Sequence, residues 1–401
     1  MSNVAALAVE SQPSVLESVR ALLPEIGARG DEIEQKCRVP LDLLGKVEST
    51  GAFRMCLPTS LGGEQLTMGE AARVIAEIAS VDASVAWHLM VAAGSQVITA
   101  RLPAATLNEY YADGPDTWPK AALAPKGIAV PVPGGYRLSG RWPLASGARD
   151  YKWVNLGFLV KDDRGIRKAP DGKHPDMRFC LIPKEGVEVI ETWDAVGLRG
   201  TRSDDLAVKD VFVPEAWQAS LFGKSSINAP ILGIRMPFAT GPHHSAVVVG
   251  ILHGAIKELA TAALTRKPAF NPMTVMKDDP VFRSRFGELA ARVDAISAHA
   301  DRCIAILENC DREHRDVDGM EGARLTAGVA LIHHEGTAVM DQIMSLSGSA
   351  SLYMSNRQQR RWRDLRCVAQ HQAANIGSYG EYASALVEEQ SALTAGLGTI
   401  Q

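Results

Sequence analysis

The chain has 401 residues, which is enough for two or three domains with a sizeable core. Its 42 Lys and Arg residues nearly balance 46 Asp and Glu residues, so the net charge of −4 gives no field that would attract nucleic acid or an anionic membrane. Six cysteines without a C-x-x-C pair argue against both a disulfide scaffold and a structural zinc site.

The first third of the chain has helical patterning. Residues 1–4 lack the basic region and apolar run of a secretory signal, and no apolar segment seen in the sequence is long enough to span a bilayer. We therefore expect a cytoplasmic protein. Thr67 and Glu70 have the spacing of a capping box, which predicts the start of a helix. Asp82 is the expected cap of a second, more apolar helix that runs through Met90 and should be buried on several sides.

The middle of the chain is predicted to form strands. From about Trp118 to Pro214 the apolar period falls to two, with glycines and prolines marking turns. The alternating apolar residues are Val154, Leu156, Phe158 and Val160, then Phe179 with Leu181, and Val187 with Val189. This pattern predicts a small antiparallel β-barrel or sandwich.

Helical patterning returns after a linker of residues 225–242. One apolar stripe consists of Phe282, Phe286, Leu289, Val293, Ile296, Ala300, Cys303, Leu307 and Cys310. A second consists of Leu325, Val329, Ile332, Gly336, Val339, Ile343 and Leu346. Spacings of three and four place each set on one helical face, which predicts a helical bundle with Cys303 and Cys310 in its core. The domains expected are helical (1–116), strand-rich (117–224) and helical (225–401).

Two groups of histidines raise the question of a metal. His243 and His244 are adjacent, as are His333 and His334, but neither pair has the spacing that places two imidazoles on one helical face. We expect no metal site. The chain also has neither a G-x-G-x-x-G fingerprint nor a P-loop, which suggests that NAD(P)H does not bind here.

Separated motifs identify a family resemblance. Residues 57–63 read L-P-T-S-L-G-G, residues 197–203 read G-L-R-G-T-R-S, residues 211–214 read V-F-V-P, and the pair Arg363-Asp364 follows further along the sequence. In this order the motifs resemble the acyl-CoA dehydrogenase superfamily. The resemblance implies an α+β fold with an N-terminal helical domain, a central β domain and a C-terminal four-helix bundle. Arg202 and Asp204 depart from the usual pattern, which puts the local loop contacts in question.

The residues after Arg363-Asp364 indicate the chemistry. Many acyl-CoA dehydrogenases carry a glutamate base here, whereas this chain has His371 and Gln372. An amide cannot act as a base, but imidazole titrates near neutral pH. The R-D-x(6)-H ending resembles the flavin-dependent monooxygenase branch, which implies hydroxylation of a small, aromatic substrate by reduced FMN or FAD and O2 through a C4a-hydroperoxyflavin. An acyl-CoA dehydrogenase-like oxidase and a non-catalytic flavin-binding protein remain as alternatives.

The resemblance assigns roles to individual residues. His371 is the expected proton-exchanging group, and Ser146 is the expected donor to the flavin and its bound oxygen. Flavin contacts are expected at Trp142, Ser146, Gly147, Thr201 and Ser203, while Arg266 would hold the flavin phosphate, often from a neighbouring subunit. Trp87 and His88 are weaker candidates for the substrate pocket.

Each of these residues has a simpler explanation. Ser146 could be a turn residue beside Gly147, Arg266 a solvated charge at a helix end, and His88 a satisfied core histidine.

Since no dinucleotide fingerprint is present, the resemblance further implies that a separate NAD(P)H-dependent flavin reductase supplies reduced flavin. It also implies a homotetramer assembled through the C-terminal bundle.

Overall fold

The computed structural model describes residues 13–147, 151–236, 238–267 and 272–397. The N-terminal helices are α1 (Val15–Ala28), α2 (Gly30–Lys36), α3 (Leu41–Ser49), α4 (Met68–Ala79), α5 (Ala83–Thr99) and α6 (Ala104–Tyr110). The strands are β1 (Lys120–Val132), β2 (Gly135–Trp142), β3 (Trp153–Asp162), β4 (Gly165–Ile166), β5 (Met177–Pro183), β6 (Glu188–Ile190), β7 (Asp205–Pro214) and β8 (Gln218–Ser220). The C-terminal helices are α7 (Gly241–Ala263), α8 (Pro280–Arg312), α9 (Gly319–Ser347), α10 (Arg357–Val368) and α11 (Gly377–Leu397).

Both predicted helix starts in the first third are confirmed. The Thr67 hydroxyl accepts the Glu70 N–H at 3.3 Å, and the Glu70 carboxylate accepts the Thr67 N–H at 2.8 Å, which together form the capping box of α4. Asp82 caps α5 by accepting the Val85 N–H at 3.0 Å. Helix α5 is longer than its sequence pattern suggested, and every residue in it except Val91 is buried. It therefore forms an inner wall of the molecule.

The strands form one mixed sheet in the order β6-β7-β2-β1-β3-β5-β8, with β4 paired to the outer end of β3. The expectation of an antiparallel sheet is wrong for one pair, because β1 and β3 run parallel. Strand β2 forms a hairpin on one edge of β1, so the segment after β2 must cross to the other edge before β3 begins. The described residues that follow β2, 143–147, carry Ser146 and Gly147 towards the helices, and we call them the crossing segment.

The C-terminal helices have the predicted pattern. The two apolar stripes lie on α8 and α9, and both Cys303 and Cys310 are buried. Helix α9 packs against α7, α8, α10 and α11, while α4 and α5 pack against α7. The N-terminal and C-terminal helices therefore share one apolar core. The domain boundaries at 116 and 224 stay predictions, although they fall between α6 and β1 and between β8 and α7.

Helix α7 departs from the expectation about apolar segments. By length and hydropathy it could cross a membrane, and it is the single such helix within the described ranges. However, 61% of its apolar window is buried inside the protein, which is the situation of a core helix. Its burial between α4, α5 and α9 explains its composition without a membrane.

Candidate active site

The crossing segment after β2 contacts α5 and the residues just before β7. Buried hydroxyl groups form a chain of hydrogen bonds at this contact. Trp87 Nε1 donates to Ser146 Oγ at 3.0 Å, and Ser146 Oγ lies 2.7 Å from Ser203 Oγ. Ser203 Oγ lies 2.7 Å from Thr201 Oγ1, which donates to the Leu198 carbonyl at 2.8 Å. We call Ser146, Ser203 and Thr201 the hydroxyl chain. Three of the predicted flavin contacts are thus brought together, and the weak candidate Trp87 joins them.

Gly147 allows this segment to approach β1. Its φ of +147° lies in the region that favours glycine, and an added Cβ would lie 2.9 Å from the Lys120 Cα. Lys120 itself is buried and donates from Nζ to the Arg202 carbonyl at 2.8 Å. Burial lowers the pKa of Lys120 to about 8. Any larger residue at 147 would push Ser146 away from its partners.

The two departures from the family pattern compensate each other. Arg202 Nε pairs with the buried Asp204 carboxylate at 3.0 Å. Asp204 also accepts the Thr192 and Trp193 N–H groups, each at 3.0 Å. A charged residue is tolerated at 204 because a cation and two backbone donors surround it. These contacts hold the backbone on either side of Ser203.

The side chain of Trp142 lies inside the sheet. Its indole is fully buried in the sheet core and donates to the Gly157 carbonyl at 2.6 Å. Gly127 makes room for the ring, since a Cβ there would lie 2.3 Å from Trp142 Cζ2. The indole is therefore enclosed by the sheet, so in this structure its side chain supports the sheet and does not face the hydroxyl chain.

The opposite side of Trp87 faces imidazoles. The rings of His244 and His371 stack with centroids 3.9 Å apart and an angle of 24° between their planes. The Trp87 ring meets both edgewise, with centroids 5.5 Å from His244 and 5.8 Å from His371. We call His243, His244, His333 and His371 the histidine cluster, because His243 and His333 interact electrostatically with the stacked pair.

The histidine cluster was missed by the sequence analysis, which considered His243, His244 and His333 only as metal ligands. Within the described residues no group of three or more His, Cys, Asp or Glu side chains could hold a metal ion. The signal that could have indicated the cluster is the position of the adjacent pair at the start of an apolar helix. A histidine there is buried with the helix, so it must pack against another ring or leave its nitrogens unpaired.

Burial keeps the cluster uncharged. It lowers the pKa of His243 and of His333 to about 4, and it holds the pKa of His244 well below its usual range. Desolvation by its neighbours also lowers the pKa of His371, although that residue remains exposed as a whole. Both nitrogens of His243, Nδ1 of His244 and Nε2 of His333 are buried without a partner among the described residues.

The tautomer of His371 follows from its backbone contact. The residue caps the short 3₁₀ helix Gln372–Ala374, and its Nδ1 accepts the Ala373 N–H at 3.1 Å. Neutral imidazole has one N–H and one lone pair, so the proton of His371 lies on Nε2. In this arrangement His371 can donate a hydrogen bond, and it can accept a proton at Nδ1 only when the Ala373 contact opens.

His88 lies one residue beyond Trp87 on α5 and is fully enclosed. Its Nε2 contacts the Gly200 carbonyl at 3.3 Å, while its Nδ1 is buried without a partner. Its ring packs against Trp118, with centroids 5.8 Å apart, and burial lowers its pKa to about 4. A carbonyl accepts only, so His88 is a neutral Nε2–H tautomer whose Nδ1 lone pair stays available.

Arg266 is not brought to this site within one chain. It follows the end of α7, whereas His244 lies in the first turn of that helix, so about 30 Å separate the two residues along the helix axis. Its guanidinium donates to the Ser347 carbonyl at the end of α9. A contact between Arg266 and a ligand at the hydroxyl chain would thus require the neighbouring subunit that the sequence analysis named.

Comparison with known proteins agrees with the fold. Residues 243–376 match the family described as "Acyl-CoA dehydrogenase, C-terminal domain", and residues 10–104 match "Acyl-CoA dehydrogenase, N-terminal domain". The chain is 29% identical over 371 residues to the "Flavin-dependent monooxygenase, oxygenase subunit HsaA" of Rhodococcus jostii (strain RHA1), covering 89% of this chain and 94% of that protein.

Two further proteins extend the comparison. The chain is 26% identical over 374 residues to the "FADH(2)-dependent resorcinol hydroxylase, oxygenase component" of Rhizobium sp. (strain MTP-10005), covering 87% of this chain and 88% of that protein. The solved structure of XiaF from Streptomyces sp., in complex with FADH2 and glycerol, superposes with a TM-score of 0.85 at 25% identity and covers 93% of this chain and 95% of that one.

Proposed function

We propose that this chain, which belongs to the acyl-CoA dehydrogenase family and is a flavin-dependent monooxygenase, uses reduced flavin and O2 to hydroxylate a small aromatic compound. The observation that carries the substrate proposal is the position of Trp87. Its indole N–H binds the hydroxyl chain while its ring edge contacts His244 and His371. The Trp87 side chain thus contacts both the hydroxyl chain and the neutral imidazoles of the histidine cluster.

The residues of the hydroxyl chain fit a flavin. Ser146 accepts from Trp87, and two histidines next to Trp87, His88 in sequence and His244 in space, each have a buried Nδ1 without a partner among the described residues. Unpaired buried polar atoms are costly, so their presence supports a site that a polar ligand completes. Reduced flavin supplies the two electrons that the insertion of one oxygen atom from O2 requires.

The imidazoles fit the substrate side. His371 is neutral near pH 7 because its pKa is lowered, and its Nε2–H can hold the hydroxyl oxygen of a phenol or the ring edge of an indole. We infer that His371 orients the substrate by donating from Nε2–H. It would take the substrate proton at the same nitrogen once the Ala373 contact opens and the ring proton resides on Nδ1, which leaves the lone pair on Nε2. The aromatic edges of Trp87 and His244 favour a flat ring as the occupant.

The alternatives are less well supported by this arrangement. A dehydrogenase that removes an α-proton needs a carboxylate base, but the position after Arg363-Asp364 carries His371 and the exposed amide Gln372. A non-catalytic flavin-binding protein would need no imidazole pair beside the flavin wall. The FADH2-dependent resorcinol hydroxylase relative and the XiaF structure, which holds FADH2, support reduced FAD over reduced FMN.

We further propose that a separate NAD(P)H-dependent reductase supplies the reduced flavin, as the words "oxygenase subunit" and "oxygenase component" imply for the relatives. Because such a supply depends on NAD(P)H, we also propose a cytoplasmic location. The decisive experiment incubates purified protein with NADH, FAD, O2 and a panel of phenols and indoles, with and without an added flavin reductase. We expect hydroxylated product only with the reductase. Product formation with NADH alone would contradict the two-component arrangement, and anaerobic bleaching by an acyl-CoA would support a dehydrogenase.

A homotetramer is the proposed assembly. Large apolar side chains stay exposed on the C-terminal part of the single chain, including Met273 at 88%, Leu352 at 75% and Val387 at 66%. Exposed apolar surface of this kind usually marks an interface. Association through this part would also offer Arg266 to a neighbouring site. Light scattering should give four times the chain mass, and a stable monomer at micromolar concentration would contradict the proposal.

A further inference from the structure

The hydroxyl chain has a direction, because each hydroxyl group has one proton to donate. At one end Trp87 Nε1 can only donate, and it donates to Ser146 at 3.0 Å. At the other end the Leu198 carbonyl can only accept, and it takes the proton of Thr201 at 2.8 Å. Thr201 must then accept from Ser203, so Ser203 must accept from Ser146. All four hydrogen bonds can form in this one orientation.

The consequence appears at Ser146. Its proton is directed to Ser203 and one of its lone pairs accepts the Trp87 N–H, which leaves one lone pair for a ligand. Ser146 therefore meets a ligand as an acceptor. This reverses the donor role that the family resemblance implied for it. The burial of Ser203 and Thr201 prevents water from supplying an alternative proton.

The Leu198 end of the hydroxyl chain is held by the Arg363-Asp364 pair, which the proposed chemistry does not otherwise use. Leu198 has φ of +49°, a left-handed conformation that a residue with a side chain rarely adopts. The buried Asp364 of the Arg363-Asp364 pair accepts the Leu198 N–H at 2.7 Å and so holds that conformation. Trp193 Nε1 also donates to the Leu198 carbonyl, at 3.2 Å. This contact helps to hold the carbonyl in position at the end of the hydroxyl chain.

We propose that Thr201 is a positioning residue that polarises the hydroxyl chain and thereby makes the site select reduced over oxidised flavin. The inference rests on the proposed function. We take N5 of the flavin as the ring atom beside Ser146, as the family resemblance implies. Two-electron reduction of flavin places a proton on N5, so the reduced ring offers an N–H there and the oxidised ring offers a lone pair. Ser146 as an acceptor matches the reduced ring and leaves two lone pairs facing each other with the oxidised ring.

The test compares Thr201→Val, which keeps the shape but removes the hydroxyl, with Thr201→Ser, which keeps the hydroxyl. Without a partner at 201, Ser203 can donate to Ser146, and Ser146 is free to donate to the ligand. The readout is the midpoint potential of FAD bound to each protein, measured by anaerobic equilibration with a reference dye. That potential reports the ratio of the dissociation constants for oxidised and reduced FAD.

Wild-type protein should bind reduced FAD at least about tenfold more tightly than oxidised FAD, which raises the bound potential by about 30 mV above that of free FAD. Thr201→Val should lower this ratio by about tenfold, while Thr201→Ser should leave it unchanged. Ser203→Ala interrupts the chain at another position and should also lower the ratio, so it carries the test if Thr201→Val does not fold.

Two results would overturn the inference. The first is a wild-type potential equal to or below that of free FAD, and the second is an unchanged potential in every folded variant that lacks the hydroxyl of residue 201 or 203. If hydroxylation of the phenol panel persists in either case, the proposed function stands and only the polarised chain is wrong. If the wild-type protein binds neither form of FAD and forms no product, both the proposed function and this inference fail.

Discussion

The hydroxyl chain and the histidine cluster both contact Trp87, but they differ in how completely their polar atoms are hydrogen-bonded. In the hydroxyl chain every described side-chain oxygen has a partner, and the bonds run in one direction. In the histidine cluster, by contrast, buried nitrogens of His243, His244 and His333 lack partners. Each hydroxyl proton of the hydroxyl chain thus has an acceptor before a ligand binds, whereas the histidine cluster keeps unpaired nitrogens.

This difference separates the tasks of the two groups. A hydroxyl chain with fixed proton positions favours one hydrogen-bonding pattern over another, as between the reduced and the oxidised ring of a flavin. Neutral imidazoles with free nitrogens can donate, accept or transfer a proton as a reaction proceeds. The cost of the unpaired nitrogens falls on the stability of the free protein, and a ligand can recover part of it.

The largest expected effect tests whether His371 of the histidine cluster acts in hydroxylation. His371→Ala should lower the rate of hydroxylation by about 10² to 10⁴, which is the usual contribution of an acid-base group, and divert electrons to hydrogen peroxide. FAD affinity should change little, because the hydroxyl chain is intact. Single-turnover kinetics with reduced FAD, O2 and a phenol that the wild type hydroxylates would measure both effects.

Two variants sharpen this result. His371→Asn should retain part of the substrate affinity through hydrogen bonding but not the rate. His334→Ala is the matched control, since His334 contacts Tyr379 and lies outside the cluster. Wild-type rate and pH profile in both His371 variants would make that residue structural.

A second prediction concerns the cost of the unpaired histidines. The pKa of His243 is lowered to about 4 in the folded chain, so its contribution to stability is present above pH 6.5 and is lost as the pH falls towards 4. Between pH 7 and 4.5 wild-type protein should lose roughly 2 to 3 kcal/mol more folding free energy than His243→Phe.

Urea unfolding at the two pH values measures this loss. His253→Phe is the control on the same helix, because His253 is exposed and bonded to Ser297. An identical pH dependence in the wild type and His243→Phe would contradict the idea that the cluster is held neutral at a cost to stability.

A third prediction concerns assembly. Arg266→Ala should weaken FAD binding by roughly 1.5 to 3 kcal/mol, as expected for a lost charge-assisted hydrogen bond. Lys267→Ala, at the exposed neighbouring position, should have no effect. Because Arg266 lies at the far end of α7 from the cluster, the effect should disappear on dilution to monomers. Equal FAD affinity in Arg266→Ala and Lys267→Ala would exclude a role for this guanidinium.

The smallest expected effect tests how much the hydrogen bonds of the hydroxyl chain contribute to the free energy of folding. Ser203→Ala leaves the Ser146 proton and a Thr201 lone pair without partners, which should cost about 1 to 2 kcal/mol of folding free energy. Ser49→Ala, at an exposed helix end, should change stability by less than about 0.5 kcal/mol. Urea unfolding would compare the two, and equal values would mean that the hydroxyl bonds contribute nothing to folding.

The sequence alone determined the elements and the direction of the chemistry. The capping pair Thr67 and Glu70 and the stripes of α8 and α9 were readable because helix geometry places residues three and four apart on one face. The Arg363-Asp364 motif with His371 indicated the enzyme class. The roles of single residues in the site came from resemblance, and they stay predictions.

Only the tertiary structure decided which residues meet. Trp87 and Ser146 are separated by 59 residues, and their contact depends on a parallel β1–β3 pair that forces the crossing segment towards α5. The stacking of His244 on His371 depends on how α7 packs beside the end of α10. Local spacing carries no record of such contacts, because they arise from how distant elements pack, and the proton order of the hydroxyl chain arises from the same packing.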